Sequence, residues 1–345
     1  MPNSIELIKK YGAENLDRIF VQESVTGILE NRVGVELRPV ENDAKTVYIP
    51  DIAMDGLGDY DMENGFPKGA VTLKWTPYQC NMDRGKEFSV DAVQNAESAG
   101  VTGANLMTEF ERTRVIPEVD AYRLSKLYAN ALPGNIVSKS IADNTILKEF
   151  NSIIKFYNDN EIPLERVVFF ISTDIDLRIK NSTELTKKIT QADYKVGDLT
   201  FKLKSYENIP LVVTPPKRFK TTYTFNDNGF APTVATYELT SDAEIVAGKT
   251  YYTKAGEVYT AVAEPQIANI GTYYEQLTPQ ALDMSILAVH TNAALPYKKH
   301  QKIRVFEPDV YQGKDAWVFQ HRLYHDIITP INKQKGIYVI TAPAV

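Results

Sequence analysis

The spacing of apolar and polar positions divides the chain into stretches of different period. Near the N-terminus Ile5, Ile8, Leu16 and Ile19 recur near helical spacing. Asn3 is placed to cap and Glu6 to reach back, so 3–20 reads as an amphipathic helix. It either packs on the chain's own core or docks elsewhere as an arm. Residues 45–52 and 70–79 read as strands; in the second, Val71, Leu73 and Trp75 alternate with Thr72, Lys74 and Thr76. Between them Gly56, Gly58, Gly65, Pro67 and Gly69 make a long irregular tip. A two-stranded hairpin is marginal alone in water. This one must therefore lie on its own core or on a neighbouring subunit.

Across 102–132, Leu106, Met107, Phe110, Val119, Leu124, Leu127 and Tyr128 fall at three- and four-residue steps. They predict a helix of about 45 Å, kinked near Ile116 by Pro117 and ended by Leu132-Pro133-Gly134. Helix and strand then alternate: a helix over 145–158, a buried strand from Arg166 to Ser172, and a short helix capped by Thr173 or Asp174. Strands follow at 199–205 and 209–214, the second closed by Pro215-Pro216. After 283 the pattern predicts strands at Ser285–His290, Lys302–Phe306, Ala316–Ile328 and Gly336–Thr341. This order implies an α+β fold.

Residues 236–276 change character. They hold six of the 20 tyrosines (Tyr237, Tyr251, Tyr252, Tyr259, Tyr273, Tyr274) and no Arg, His or Cys. Six acids against Lys249 and Lys254 place −4 of the chain's net −6 here. Short β-rich runs broken by Gly248, Gly256, Pro265 and Gly271 read as a small antiparallel unit inserted in a loop. Its tyrosines are either a miniature core or a surface for carbohydrate or another protein, with Tyr251, Tyr252, Tyr259 and Tyr273 the candidates for that surface.

Composition bounds the rest. With 345 residues, 43% apolar and 24% charged, the chain can bury a core and form about two domains. The net charge of −6 argues against a dedicated nucleic-acid binder with a broad basic face. Cys80 stands alone, which excludes internal disulfides and multi-cysteine zinc sites and leaves a buried thiol as the expectation. No apolar run approaches the roughly 18 residues of a membrane span, and the first residues lack an apolar signal core. A soluble, cytoplasmically made protein is expected.

Chemical motifs fail on inspection. Ala243–Thr250 fits a relaxed phosphate-loop pattern, but Tyr251-Tyr252-Thr253-Lys254 continues it as strand, without the helix that cradles phosphate. Asp59, Asp61 and Glu63 resemble the start of a calcium loop, yet Asn64 and Ala70 stand where Gly and the bidentate Glu belong. His321 and His325 lie on a period-two segment, sharing a face with Trp317, Phe319 and Leu323, and lack the Glu of a zinc-protease motif. No catalytic, cofactor-binding or metal-ligating residues are expected, and the chain reads as a non-enzyme.

Two stretches carry a family resemblance. One is Met107-Thr108-Glu109-Phe110-Glu111-Arg112-Thr113-Arg114-Val115-Ile116-Pro117-Glu118-Val119-Asp120-Ala121-Tyr122-Arg123. The other is Lys299-His300-Gln301-Lys302-Ile303-Arg304-Val305-Phe306-Glu307-Pro308-Asp309 with Trp317-Val318-Phe319-Gln320-His321-Arg322-Leu323-Tyr324-His325-Asp326. Both resemble the major capsid proteins of long-tailed phages of Gram-positive bacteria, which have the Hong Kong 97-type fold. The resemblance covers roughly 1–235 and 277–345. It implies an N-terminal arm (1–34), an extended hairpin loop region (35–90), a peripheral domain with a long spine helix (91–135 and 298–345), an axial domain (136–235 and 277–297) and the insert (236–276).

It further implies a shell subunit assembling as hexamers and pentamers into an icosahedral head, in the virion, after synthesis in the host bacterial cytoplasm. The implied partners are other copies of the chain, a separate scaffolding protein, a portal, and packaged double-stranded DNA held non-specifically on the inner face, with no membrane. Ile5, Ile8, Ile19, Phe20, Tyr60, Phe66, Lys68 and Trp75 are the expected inter-subunit contacts. Some members crosslink a loop Lys to a peripheral Asn; Lys68, Lys74 and Asn332 are of the right types, but the activity does not carry over on type alone. A bacterial nanocompartment shell is the alternative within the same fold.

Overall fold

The computed structural model describes residues 24–30, 38–39, 45–60, 62–63, 65–92, 102–182, 188–196, 199–240, 242, 245–246, 249–256, 258–262, 265–266, 269, 272–310 and 313–343. The expected helix at 3–20, with Ile5, Ile8, Ile19 and Phe20, lies outside them.

In chain order the elements begin with β1 (Arg38–Pro39), β2 (Thr46–Met54), β3 (Val71–Gln79) and β4 (Met82–Asp91). Helix α1 (Thr102–Phe110), a π-helical turn (Glu111–Val115), α2 (Ile116–Asn130), β5 (Ile136–Ser138) and α3 (Ile146–Asp159) follow. Next come β6 (Val167–Ser172), α4 (Thr173–Asn181), β7 (Ile189–Val196), β8 (Leu199–Tyr206) and β9 (Ile209–Thr214). Then come β10 (Tyr223–Asn226), β11 (Gly229–Pro232), β12 (Thr236–Leu239), β13 (Tyr252–Ala255), β14 (Val258–Ala261) and β15 (Tyr274–Thr278). The chain closes with β16 (Met284–His290), β17 (Leu295–Phe306), β18 (Ala316–Ile328) and β19 (Ile337–Thr341).

These elements form two compact units. The first gathers the described residues of Met1–Thr113, Lys195–Thr200 and His290–Gly336. It contains the sheet β1-β2-β3 and a second sheet ordered β17-β18-β4. Strand β4 was not legible as a strand in sequence; here its ten residues pair antiparallel with β18, from Asp91 opposite Ala316 to Met82 opposite His325. Gly85 is required in it, because a Cβ there would stand 3.0 Å from the His321 carbonyl. α1 lies on this sheet through Met107, Phe110, Val90 and Phe319. β17 begins at Leu295, seven residues before the expected Lys302, because the cations at 298–302 mask its alternation.

The second unit gathers the described residues of Arg114–Tyr194, Phe201–Val289 and Ile337–Val345 around a seven-stranded sheet ordered β5-β19-β16-β6-β9-β8-β7. β6 pairs parallel with β9, and β5 with β19. Val167–Ile171 is buried on both faces, as a central strand of a covered sheet must be. α3 covers it with Ile146, Phe150, Ile153, Ile154 and Tyr157, one stripe at helical spacing. The last strand departs from the expected division. Ile337–Thr341 joins β16 and β5 here rather than the peripheral strands of 298–328, since so apolar a run needs a place inside a covered sheet.

The expected single helix at 102–132 is also interrupted. Pro117 sits in the first turn of α2 and has no N–H to give to the preceding turn, and the ladder widens to π spacing over Glu111–Val115. Thr113 Oγ1 donates instead to the Glu109 carbonyl, 2.7 Å away. The cap of α4 is Ser172, whose hydroxyl accepts from the Ile175 N–H at 3.3 Å, one residue before the expected Thr173 or Asp174.

Candidate assembly surface

The hairpin β2–β3 is the feature that the fold leaves unfinished. Its register sets Pro50 opposite Trp75, Ile52 opposite Leu73 and Met54 opposite Val71, so six apolar side chains share one face. The other face carries Asp51 opposite Lys74 and Ala53 opposite Thr72. The apolar face is bare: Trp75 is 39% exposed, Leu73 56%, Ile52 59%, Val71 70% and Met54 72%. A monomer rarely leaves such a face without use.

The root of the hairpin is held firmly. Val47, Ile49 and Cys80 are buried with Leu295, Tyr324 and Ile328. Tyr324 Oη donates to the Cys80 carbonyl at 2.9 Å, and Tyr78 Oη accepts from the Ile331 N–H at 3.1 Å. The buried Asp326 carboxylate accepts from the Asn81 N–H at 3.0 Å. The tip is ordered by the Asp55 carboxylate accepting from the Ala70 N–H at 2.7 Å and by Tyr60 meeting Phe66 edge-on at 5.0 Å. Gly58 allows Pro67 to close over it, since a Cβ there would stand 2.9 Å from the Pro67 ring. Tyr60 and Phe66 remain 60% and 85% exposed. Of the expected inter-subunit residues that are described, Tyr60, Phe66, Lys68 and Trp75 all lie exposed on this hairpin.

The crosslinking types come from the hairpin and from the turn after β18, and Asp51, opposite Lys74 in the hairpin, is also the partner of Asn332. Lys68 and Lys74 are exposed, and the Asn332 carboxamide donates to Asp51 at 2.9 Å. Beside it burial lowers the Lys333 ammonium's pKa, against the opposing pull of Asp51.

The insert forms its own sheet, ordered β12-β15-β13-β14. Two of the four tyrosines expected on its surface are not there. Tyr251 and Tyr273 are buried: the Tyr251 hydroxyl donates to Asp242 at 2.7 Å and accepts from the Val246 N–H at 3.1 Å, and the Tyr273 hydroxyl accepts from the Gln266 N–H at 3.0 Å. Tyr252 and Tyr259 are half-exposed on the opposite side, where Tyr259 stacks on Tyr237 at 4.0 Å. Lys249, the lysine of the phosphate-loop-like stretch, donates to Asp242 at 2.6 Å and pairs with Glu275 at 2.9 Å. Those contacts hold both carboxyls below the usual range and the ammonium above its own. A strand, not a helix, follows this stretch, which joins β12 to β13 across the intervening β15 and so is neither a phosphate loop nor a hairpin turn.

His321 and His325 are buried on β18. His321 meets Phe110 edge-on at 5.8 Å and lies 4.0 Å from Glu111, and burial lowers its pKa. Cys80 is buried as expected. Among the described residues no group of three His, Cys, Asp or Glu side chains is arranged to hold a metal ion, and no helix is long and apolar enough to cross a membrane.

No protein-family model matches the chain, and no curated protein matches it in sequence. Solved structures do match it in fold. The capsid structure of the cyanophage P-SCSP1u aligns over 98% of this chain and 93% of its own, with a TM-score of 0.57 and 10% identity. The asymmetric unit of the bacteriophage PhiM1 mature capsid aligns over 99% and 93%, at 0.54 and 9%. A structure from Gordonia phage Cozz aligns over 98% and 92%, at 0.53 and 10%.

Proposed function

We propose that this chain, which has the tailed-phage capsid fold, is a major capsid protein: a structural, non-enzymatic subunit whose copies close into an icosahedral head. The observation that carries the reading is the rooted hairpin with a bare apolar face. Each copy offers this face to a neighbour, and contacts that are weak singly become strong when repeated around a closed shell. At about 25 cal/mol per Å² of apolar surface removed from water, covering a few such side chains offsets the cost of association only when many copies do so together.

In this reading 1–34 is the arm, 35–90 the extended loop region, 91–135 and 298–336 the peripheral domain, and 136–235 with 277–297 and 337–345 the axial domain. Hexamers and pentamers are its capsomers, a separate scaffolding protein and a portal guide assembly in the host cytoplasm, and the head encloses double-stranded DNA. The insert at 236–276 is an accessory whose tyrosines serve chiefly as its own core.

The test is Leu73→Asp with Trp75→Asp in the full chain. Both side chains are exposed in the single subunit. Its far-UV circular dichroism should therefore be unchanged while particles disappear in electron micrographs. Particles that form undiminished would reject the hairpin as the assembly surface.

A further inference from the structure

Between 298 and 304 the sequence Lys-Lys-His-Gln-Lys-Ile-Arg holds four cations and no acid, in a chain of net charge −6. This run is most of β17, and β17 is an edge of its sheet. A bulge between Lys298 and His300 resets the register, after which His300 stands opposite Tyr324, Lys302 opposite Arg322 and Arg304 opposite Gln320. Residues directly opposite share a face. His300, Lys302 and Arg304 therefore line one face of the edge strand, about 13 Å from first to last at roughly 3.3 Å per residue.

The acids on that face are already engaged further in. Arg322 forks onto Asp83, with Nε and Nη2 at 3.0 and 2.6 Å from its two carboxylate oxygens. That contact holds the Asp83 carboxyl below its ordinary range. Gln320 donates to Glu87 at 2.8 Å. Opposite Arg322 on the far strand stands Gly85, which brings no side chain to the rung. Lys302 and Arg304 are both exposed, and among the described residues no carboxylate lies within ion-pair distance of either. Lys298 is partly spent on Glu30, 3.1 Å away.

Ile303 and Val305 stand on the opposite face, while Phe306, half-buried opposite Val318, closes the far end of the cationic row. The middle of the cationic row, at Lys302, thus lacks the apolar anchor that a protein partner would need at its centre. A row of exposed charge, regularly spaced and beside the open N–H groups of an edge strand, fits a polymer of phosphates better. Lysines on an edge also deter pairing between strands, but that role needs no row on one face.

We propose that the face of β17 carrying Lys302 and Arg304 is a phosphate-contact strip for double-stranded DNA, and so marks the side of the subunit that meets the packaged genome. This rests on the shell reading and adds the residues and the orientation. The binding would be sequence-independent and weak, set by counterion release, which suits a genome that must leave again.

The test uses the full chain and a fluorescein-labelled 20-base-pair duplex, with anisotropy followed between about 25 and 300 mM NaCl. Each phosphate contact contributes about 0.9 to the slope of log affinity against log salt. Lys302→Gln with Arg304→Gln should flatten that slope by about 2 and weaken binding at the lowest salt at least about tenfold. Lys148→Gln with Lys155→Gln, on the exposed side of α3, should change neither. Equal slopes for the wild type and the Lys302/Arg304 variant would overturn the proposal. So would an absence of DNA binding together with capture of polyglutamate, which would indicate an acidic protein partner. Electron microscopy of the same preparations separates the two readings. Particles without a Lys302/Arg304 effect reject only the strip, whereas the effect without particles rejects only the shell.

Discussion

Substituting Asp120 by alanine removes the carboxylate beside a guanidinium that the fold has already taken out of water. Asp120 on α2 is fully buried, and Arg218, in the short 3-10 turn Pro216–Arg218, is 5% exposed; the contact is 3.0 Å. At that distance an effective dielectric near 20 gives about 5 kcal/mol of attraction, against a desolvation cost of several kcal/mol per ion. The pair as a whole therefore adds little net stability, yet breaking it removes the countercharge of a buried guanidinium and costs about 3–5 kcal/mol. Asp120→Ala should lower the urea midpoint of the unassembled chain by that equivalent, and the thermal midpoint of the second unit by roughly 10 °C. Asp120→Asn, which keeps the shape, should lose nearly as much. Asp120→Leu with Arg218→Met should recover most of the loss. A single-variant loss below about 1 kcal/mol, or a double variant no better than the singles, would refute the reasoning.

Three further outcomes are expected. Burial holds the His321 pKa below 6.5, against the opposing pull of Glu111, which accepts from Gln301, and with Lys86 opposite on β4. The folded state thus binds fewer protons, so stability is full above pH 6.5 and falls as pH drops below it; His321→Phe should flatten the urea midpoint between pH 5 and 7, and parallel curves would reject this assignment. Gly85→Ala forces a Cβ against the His321 carbonyl and should cost about 1–3 kcal/mol in thermal unfolding, with an unchanged midpoint counting against the close packing of β4 on β18. Tyr251→Ala should open the insert, speeding trypsin cleavage at Lys249 or Lys254 more than about tenfold while the far-UV signal of the rest persists; uniform cleavage across the chain would show that the insert is not independent.

Much of this fold was legible because its periods are clean. The hairpin's alternation at Val71, Leu73 and Trp75, the apolar run Val167–Ile171 and the stripe from Ile146 to Tyr157 each announce their element. Elements were missed where charge overrides period. β4 reads Met-Asp-Arg-Gly-Lys-Glu, and the start of β17 reads Leu-Pro-Tyr-Lys-Lys-His. Both hold their place by pairing with β18, which local sequence does not reveal. The hairpin β10–β11 carried a usable sign, the two-residue turn Asp227-Asn228 followed by Gly229 at φ +124°.

The assembly surface was legible in part. A two-stranded hairpin marginal by itself needed either its own core or a neighbouring subunit, and its exposed tip residues were named from the sequence. Its single apolar face needed the register, in which Pro50, Ile52 and Met54 fall opposite Trp75, Leu73 and Val71. Residue type alone could not divide the insert's tyrosines into buried Tyr251 and Tyr273 and half-exposed Tyr252 and Tyr259, because the partners of the buried hydroxyls, Asp242, Val246 and Gln266, lie outside the strands.

The central claim concerns what many copies do together, and particle imaging addresses it directly. The full chain, purified and concentrated with its co-produced phage partner proteins, should yield closed icosahedral shells in electron micrographs, built of hexamers and pentamers with the hairpin of each copy lying on a neighbour. A chain that stays monomeric under every condition, with those partners present, would contradict the account.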